Sequence, residues 1–250
     1  MAADLSALRA YLAEQVAVMT EAGDQVATAA EDSVHDLRVA VARVRNALRT
    51  FGPALPPDTS LELALRLKRC AAMLGPVRDL EVIGELFEST PQGPLRDREI
   101  AAVRAELAED VELARAEVAG VAQALLVADL MSYVDGLENH MGDLKSLAKR
   151  AARRADKRFD AAGRDPDGLH RARTAAKRAR YAAEVIGKTK RARRLKLRTE
   201  GLGIHHDCHV AAARLLSIDV TGDDADERDR ILAHLGARAE DGRLMAMGSL

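Results

Sequence analysis

The sequence predicts an all-α protein: two pseudo-symmetric antiparallel helical bundles that arise from an internal duplication. Three observations carry this. Apolar residues make up 48% of the chain, yet aromatics are only 2% with no Trp, so the core must be Leu, Val, Ile and Ala. Those residues recur at three-and-four spacing, the period of a helix face, between Gly and Pro breaks. Two basic blocks also recur in the same order about 130 residues apart. At 250 residues the chain can bury a substantial core. It reads as one domain, 1–250, with repeats at about 1–120 and 121–250.

In order, residues 4–30 form an acidic amphipathic helix with Leu5, Leu8, Leu12, Val16 and Met19 on its apolar face. Ser33 suits the cap of a second helix that ends before Gly52-Pro53 and turns Leu37, Val41, Val44 and Leu48 to the core. Pro56-Pro57-Asp58 is a turn, and 61–74 is helical up to Gly75, placed as a left-handed C-terminal residue. Asp79 then suits the start of the next helix, where a carboxylate accepts free backbone N–H groups, and Gly203 and Asp207 repeat that logic. After the break at 91–94, residues 95–138 read as a motif-free scaffold with a boundary near Gly120. Residues 144–161 form a basic helix, the counterpart of the first. A turn at 163–168 offers Asp167 as cap for the next helix, and residues 188–198 are dense in cations. The tail from Thr221 holds one more helix to about Glu240 and then frays.

The sharpest pattern lies in 170–184. At about 100° per residue, Arg173, Lys177 and Arg180 fall at about −60°, −20° and −80° from His170, a strip under a quarter-turn wide. Like charges three and four apart repel, so the strip costs stability unless an anion answers it. It occurs twice. His35, Arg38, Arg43 and Arg45 match His170, Arg173, Arg178 and Arg180. Each strip is followed by Lys, then Leu-Gly six residues on, then Asp four after the Gly: Lys68, Leu74-Gly75, Asp79 in one half and Lys196, Leu202-Gly203, Asp207 in the other. A duplicated basic strip points to anion binding.

Net charge is −1, but it is unevenly spread. Residues 144–214 hold 21 Lys and Arg against 7 Asp and Glu, a balance of +14, whereas 81–143 hold 4 against 14, a balance of −10. A bound polyanion experiences that local field. Two cysteines, Cys70 and Cys208, are too few for a disulfide framework and suit a reducing compartment. There is no basic-then-apolar leader and no apolar run near ~18 residues, so the expectation is a soluble, cytoplasmic chain with no membrane partner.

The two His-x-x-Arg strips, the paired Lys-x5-Leu-Gly-x-x-x-Asp blocks and Lys-x-x-Arg-Tyr ending at Tyr181 resemble the CHAD family, the conserved-histidine α-helical domains. The resemblance spans nearly the whole chain. It implies two helical bundles around a basic central channel that binds inorganic polyphosphate. Three positions depart from the family pattern: Ala42 replaces a basic residue, Thr199 a common Gln, and His206 the Asn that usually precedes the second Asp. The predicted binding set is His35, Arg38, Arg43, Arg45, Arg49, Lys68, His170, Arg173, Lys177, Arg178, Arg180, Arg194 and Lys196.

Polyphosphate chemistry agrees. A chain of charged phosphates without bases asks for repeated cations: Arg supplies paired donors and Lys a point charge. It has no use for the aromatic platforms of single-strand nucleic-acid sites. No glycine-rich phosphate loop or nucleophile with a partnered base is present, so the expectation is a non-catalytic module without cofactor, located in the cytoplasm or with polyphosphate granules. Two alternatives stand beside it. One is an RNA-binding helical protein, against which the lack of aromatics counts. The other is a metal-dependent phosphohydrolase drawn from His205, His206, Asp207, Cys208 and His209, in which His205 and His209 lie one helix turn apart and Cys208 is a further candidate ligand.

Overall fold

The computed structural model describes residues 3–27, 33–137 and 140–248. Among them ten α-helices follow in order: α1 (Ser6–Ala27), α2 (Ser33–Phe51), α3 (Pro57–Met73), α4 (Gly75–Glu88), α5 (Pro94–Val118), α6 (Val121–Asp135), α7 (Leu144–Asp160), α8 (Pro166–Val185), α9 (Thr189–Leu216) and α10 (Asp223–Gly248). A 3-10 turn, Gly52–Ala54, follows α2. The only extended pairing among the described residues is β1 (Ala3–Asp4) against β2 (Met141–Gly142). The fold is all-α, as the periodicity and composition require. The predicted helix residues 28–30 and scaffold residue 138 lie outside the described set.

Leu5, just before α1, and Leu8, Leu12, Val16 and Met19 of α1 are all at most 2% exposed, and so are Leu37, Val41, Val44 and Leu48 of α2. Leu63 and Leu67 of α3, Leu126 and Leu130 of α6, and Ala182 and Val185 of α8 complete this first core. A second core joins Leu80, Ile83 and Phe87 of α4 and Val103 of α5 to Leu215 of α9 and Ile231 and Leu235 of α10. Both cores draw on both sides of Gly120. The two halves of the chain therefore share cores. Glu227 of α10, 3% exposed, ties them further by accepting the Leu95 and Arg96 backbone N–H groups at 3.2 and 2.8 Å, which satisfies the free N-terminus of α5.

Several boundaries depart from expectation for identifiable reasons. Helix α3 begins at Pro57, four residues before Leu61, because proline is well suited to the first helical turn. Gly75 is not left-handed; the positive-φ glycines among the described residues are Gly163, Gly187 and Gly222. Leu74 ends α3 in right-handed geometry, and Gly75-Pro76 starts α4 directly. In the second half Ile204 stands where Pro76 does, nothing interrupts the backbone ladder, and α9 runs unbroken through Gly203. Asp79 and Asp207 therefore cap no helix. The cap of α8 is Asp165, not Asp167, with its carboxylate accepting from the Gly168 N–H at 2.7 Å. Helix α10 continues past Glu240 because Gly201 and Gly242 let it pack backbone to backbone on α9; a Cβ on Gly242 would stand 2.7 Å from the Gly201 carbonyl oxygen. At Gly120 the chain passes from α5 to α6, which are bent against each other by 56°. No single described helix is long and apolar enough to cross a membrane.

Candidate functional site: a divided cation cluster

Helices α2 and α8, which carry the two strips, pack directly against each other. The opposite side of α8 is lined with buried small residues, Ala172, Ala176 and Ala179, which let neighbouring helices approach. The contact between α2 and α8 brings the charges of the strips together. Matched contacts result: Arg38 lies 3.8 Å from Asp79, and Arg173 lies 3.9 Å from Asp207. Each Asp thus faces the strip arginine of its own half, at the same offset after Leu-Gly.

Lys177 stands among these groups. Burial pushes its ammonium down to about 8 from 10.5, and repulsion from Arg173 and Arg38 adds to that, against the attraction of Asp207. Arg38 is lowered as well, by burial and by Arg173, with Asp79 opposing. The Arg173 guanidinium lies over Gly203, where a Cβ would sit 3.6 Å from Nε, and that Nε is buried without a hydrogen-bond partner. The inner cluster is thus compressed cations held by two long, incomplete ion pairs. His206 adjoins it, its ring centroid 5.2 Å from that of His170. Burial lowers the His206 imidazole, with Arg173 and His170 adding and Asp207 opposing.

A second cluster forms beside the C-terminal part of α2. Burial lowers Arg178, and the cations acting on it are Arg49, Arg154, Arg45 and Arg158. Arg45 is lowered likewise by burial and by Arg49. Arg38, Arg45 and Arg49 share one stripe of α2, about 16 Å from end to end, which links the two clusters.

The remaining predicted residues are placed differently. Arg43 donates to Gln15 at 3.1 Å and lies over the Tyr181 ring. Arg180 donates from Nε to Glu184 at 2.9 Å and covers the same ring at 5.2 Å. Glu184 also accepts from the Tyr11 hydroxyl at 3.2 Å. These two arginines therefore stitch α1, α2 and α8 together beside the inner cluster. His35 sits half-buried one turn before Arg38. Lys68 and Arg194 are exposed, and Lys196, also exposed, pairs with Glu200 at 3.4 Å. None of these last three is among the charges weighing most on Arg38, Lys177 or Arg178.

Sequence reasoning missed His206, Arg154 and Arg158 as members of the site. The signal for the arginines was present, since 154 and 158 share one face of the basic helix α7. His205 is used elsewhere: its Nδ1 lies 3.1 Å from the Ala239 carbonyl, and its ring packs on His209 at 4.5 Å. Cys208 is buried in the second core, and no three His, Cys, Asp or Glu side chains among the described residues are placed to hold a metal ion.

Comparison with known proteins agrees with this architecture. The crystal structure of the CHAD domain from the plant Ricinus communis is similar with a TM-score of 0.77 at 22% identity, covering 100% of this chain and 94% of that one. PptA from Streptomyces chartreusis is similar at 0.70 and 18%, covering 98% of each. At these identities the likeness is one of fold. A search of curated proteins returns no match. The family model described as the CHAD domain matches residues 10–216, which include both strips and both Arg–Asp pairs, and the chain belongs to that family.

Proposed function

We propose that this protein is a non-catalytic receptor for inorganic polyphosphate, held along the stripe from the inner to the outer cluster. One observation carries the reading: Lys177 is half-buried beside Arg173 and Arg38, its charge disfavoured by burial and by those arginines and favoured by Asp207, while Asp79 and Asp207 stand 3.8 and 3.9 Å from the two arginines. Gathering cations in low dielectric is unfavourable without a counter-ion. A polyanion relieves that repulsion at each phosphate, and successive weak contacts along one chain act together. Rigid helices hold the cations in place before the ligand arrives, so little order is lost on binding. Asp79 and Asp207 orient the two arginines in the free protein and yield them to phosphate. The few aromatics are engaged, Tyr181 under Arg43 and Arg180, so no stacking platform faces the stripe. The place to look for the protein is the cytoplasm and its polyphosphate granules.

A gel-retardation assay with long-chain polyphosphate, competed by RNA of equal charge, tests this. Polyphosphate should shift the protein and RNA should displace it poorly. About 0.5 M salt should abolish the shift, as counter-ion release requires by analogy with nucleic acids. Equal competition by RNA would replace the reading with general polyanion binding, and release of phosphate during incubation would make the protein an enzyme.

A further inference from the structure

Some cations of α7 and of the turn into α9 belong to neither cluster and surround a groove of about 690 Å³. Its floor is Ala148, Ala152, Ala179, Ala183 and Ile186. Alanines one turn apart on two facing helices leave the space unfilled. Gly187, at φ +68°, ends α8 in a tight left-handed turn, with Lys188 N–H donating to the Ala183 carbonyl at 2.8 Å and Gly187 N–H to Glu184 at 3.0 Å. That turn sets Lys188 and Lys190 at the groove, across from Lys145 and Lys149 of α7. None of these four lysines has an ion partner among the described residues, whereas Arg191 on the same rim is held by Asp156 at 3.2 Å. An apolar floor ringed by free lysines fits an apolar ridge flanked by carboxylates.

The chain carries such a ridge on its acidic side. Leu113 on the outer face of α5 is 68% exposed. Glu109, Glu112, Ala116 and Glu117 are exposed beside it within an arc of about 140°. Beyond the 56° bend, Val121 and Leu125 of α6 are exposed at 76% and 55%. Glu109 and Glu117 have no ion partner among the described residues. Isolated exposed leucines need no explanation, but a run of them among unpaired acids does. Groove and ridge lie in the segments whose balances are +14 and −10.

We infer that the acidic ridge of one molecule seats in the lysine-rimmed groove of a second copy. Such contacts are heterologous: each molecule offers one ridge and one groove, so association continues into a ring or an open string of copies. The inference does not rest on the proposed ligand, since the groove lies outside both cation clusters.

Sedimentation of the full chain, stripped of polyanion at high salt, tests it. Average mass should rise with protein concentration at about 0.05 M salt and fall back to that of the monomer at about 0.5 M, where exposed charges are screened. Lys145→Glu with Lys149→Glu should weaken self-association by about tenfold or more, and Glu109→Lys with Glu117→Lys should do the same. All four positions are exposed, so both variants should keep the helical circular dichroism of the parent. The reversed groove still fits the reversed ridge, so the molecule with all four changes should associate again. Mixed together, the two double variants should associate in alternation, since the normal ridge of one fits the normal groove of the other and the reversed ridge fits the reversed groove. A monomer at every concentration in low salt overturns the inference, as does association that both double variants leave intact.

Discussion

The two strips match in sequence but differ in what they hold. On α8, Lys177 fills the space between Arg173 and Arg38, and burial and repulsion push its ammonium down to about 8. On α2, the matched position is Ala42, and the next strip cation, Arg45, faces Arg49 and Arg178 in the outer cluster instead. The second half therefore supplies the most compressed charges, and the first half supplies the length of the stripe. Compressed charges gain most from an anion, because binding removes repulsion as well as adding attraction. The asymmetry predicts which half grips and which extends.

Removing the grip should have the largest effect. Arg173→Ala with Lys177→Ala is expected to weaken polyphosphate binding on the order of 10²-fold, since charge-assisted hydrogen bonds contribute about 1.5–3 kcal/mol each. Arg38→Ala with Arg45→Ala removes the same charge but takes one cation from each cluster, and should cost less. Titrations at one salt concentration decide it. Equal losses, or a larger loss from α2, would show that burial of Lys177 does not set the affinity.

The extension comes next. Arg154→Ala with Arg158→Ala takes two cations from the outer cluster and should cost about tenfold, more for long polyphosphate than for short. Lys68→Ala with Lys196→Ala also removes two cations, yet both side chains are exposed and Lys196 is paired with Glu200. Exposed pairs contribute little. If this control costs as much as the outer pair, total charge governs binding and the stripe does not.

Stability should move in the opposite direction to affinity at Lys177. Its folded pKa lies below its unfolded one, so the unfolded chain holds the proton more tightly. The cost to folding is fully present below about pH 8 and fades as pH rises towards 10.5. Lys177→Met, similar in size and uncharged, is expected to raise stability at pH 7 by about 1–3 kcal/mol, with a ceiling set by about 1.36 kcal/mol per pH unit. The gain should vanish near pH 10.5. Urea midpoints at the two pH values measure it. An unchanged midpoint at pH 7 would mean that the ammonium is solvated in the folded protein.

The helices and both strips were legible because they depend on local period and repeat: the apolar residues chosen on α1 and α2 are the buried ones. The division of the cations was not legible. Arg43 and Arg180 belong to the same motif as Arg38 and Arg173, but Gln15 of α1 occupies Arg43 across a helix contact that no spacing reveals, and Glu184, one turn on along α8, occupies Arg180. Asp79 and Asp207 look like caps because each follows a glycine, yet only the first half has the proline that breaks the helix. Their Arg partners lie on another helix. His206 was visible as a departure from the family pattern, and its role emerged only from its proximity to His170.

That departure gives the smallest effect. In the free protein His206 stays neutral more readily than usual, since burial, Arg173 and His170 disfavour its charge more than Asp207 and Asp79 favour it. Its folded pKa is below the unfolded one, so acid should reduce the stability of the free protein as His206 is forced to take a proton. A bound polyanion reverses the balance: phosphates favour the imidazolium, and the affinity should rise as pH falls. His206→Asn restores the residue the family usually places here and removes this titration while keeping a hydrogen-bonding side chain. Binding at pH 8 should be within about twofold of the parent, because the imidazole is uncharged there. Between pH 8 and about 5.5 the parent should gain a few-fold more affinity than the variant. Parallel pH profiles would show that His206 does not reach the ligand, and that the closeness of the two rings serves packing alone.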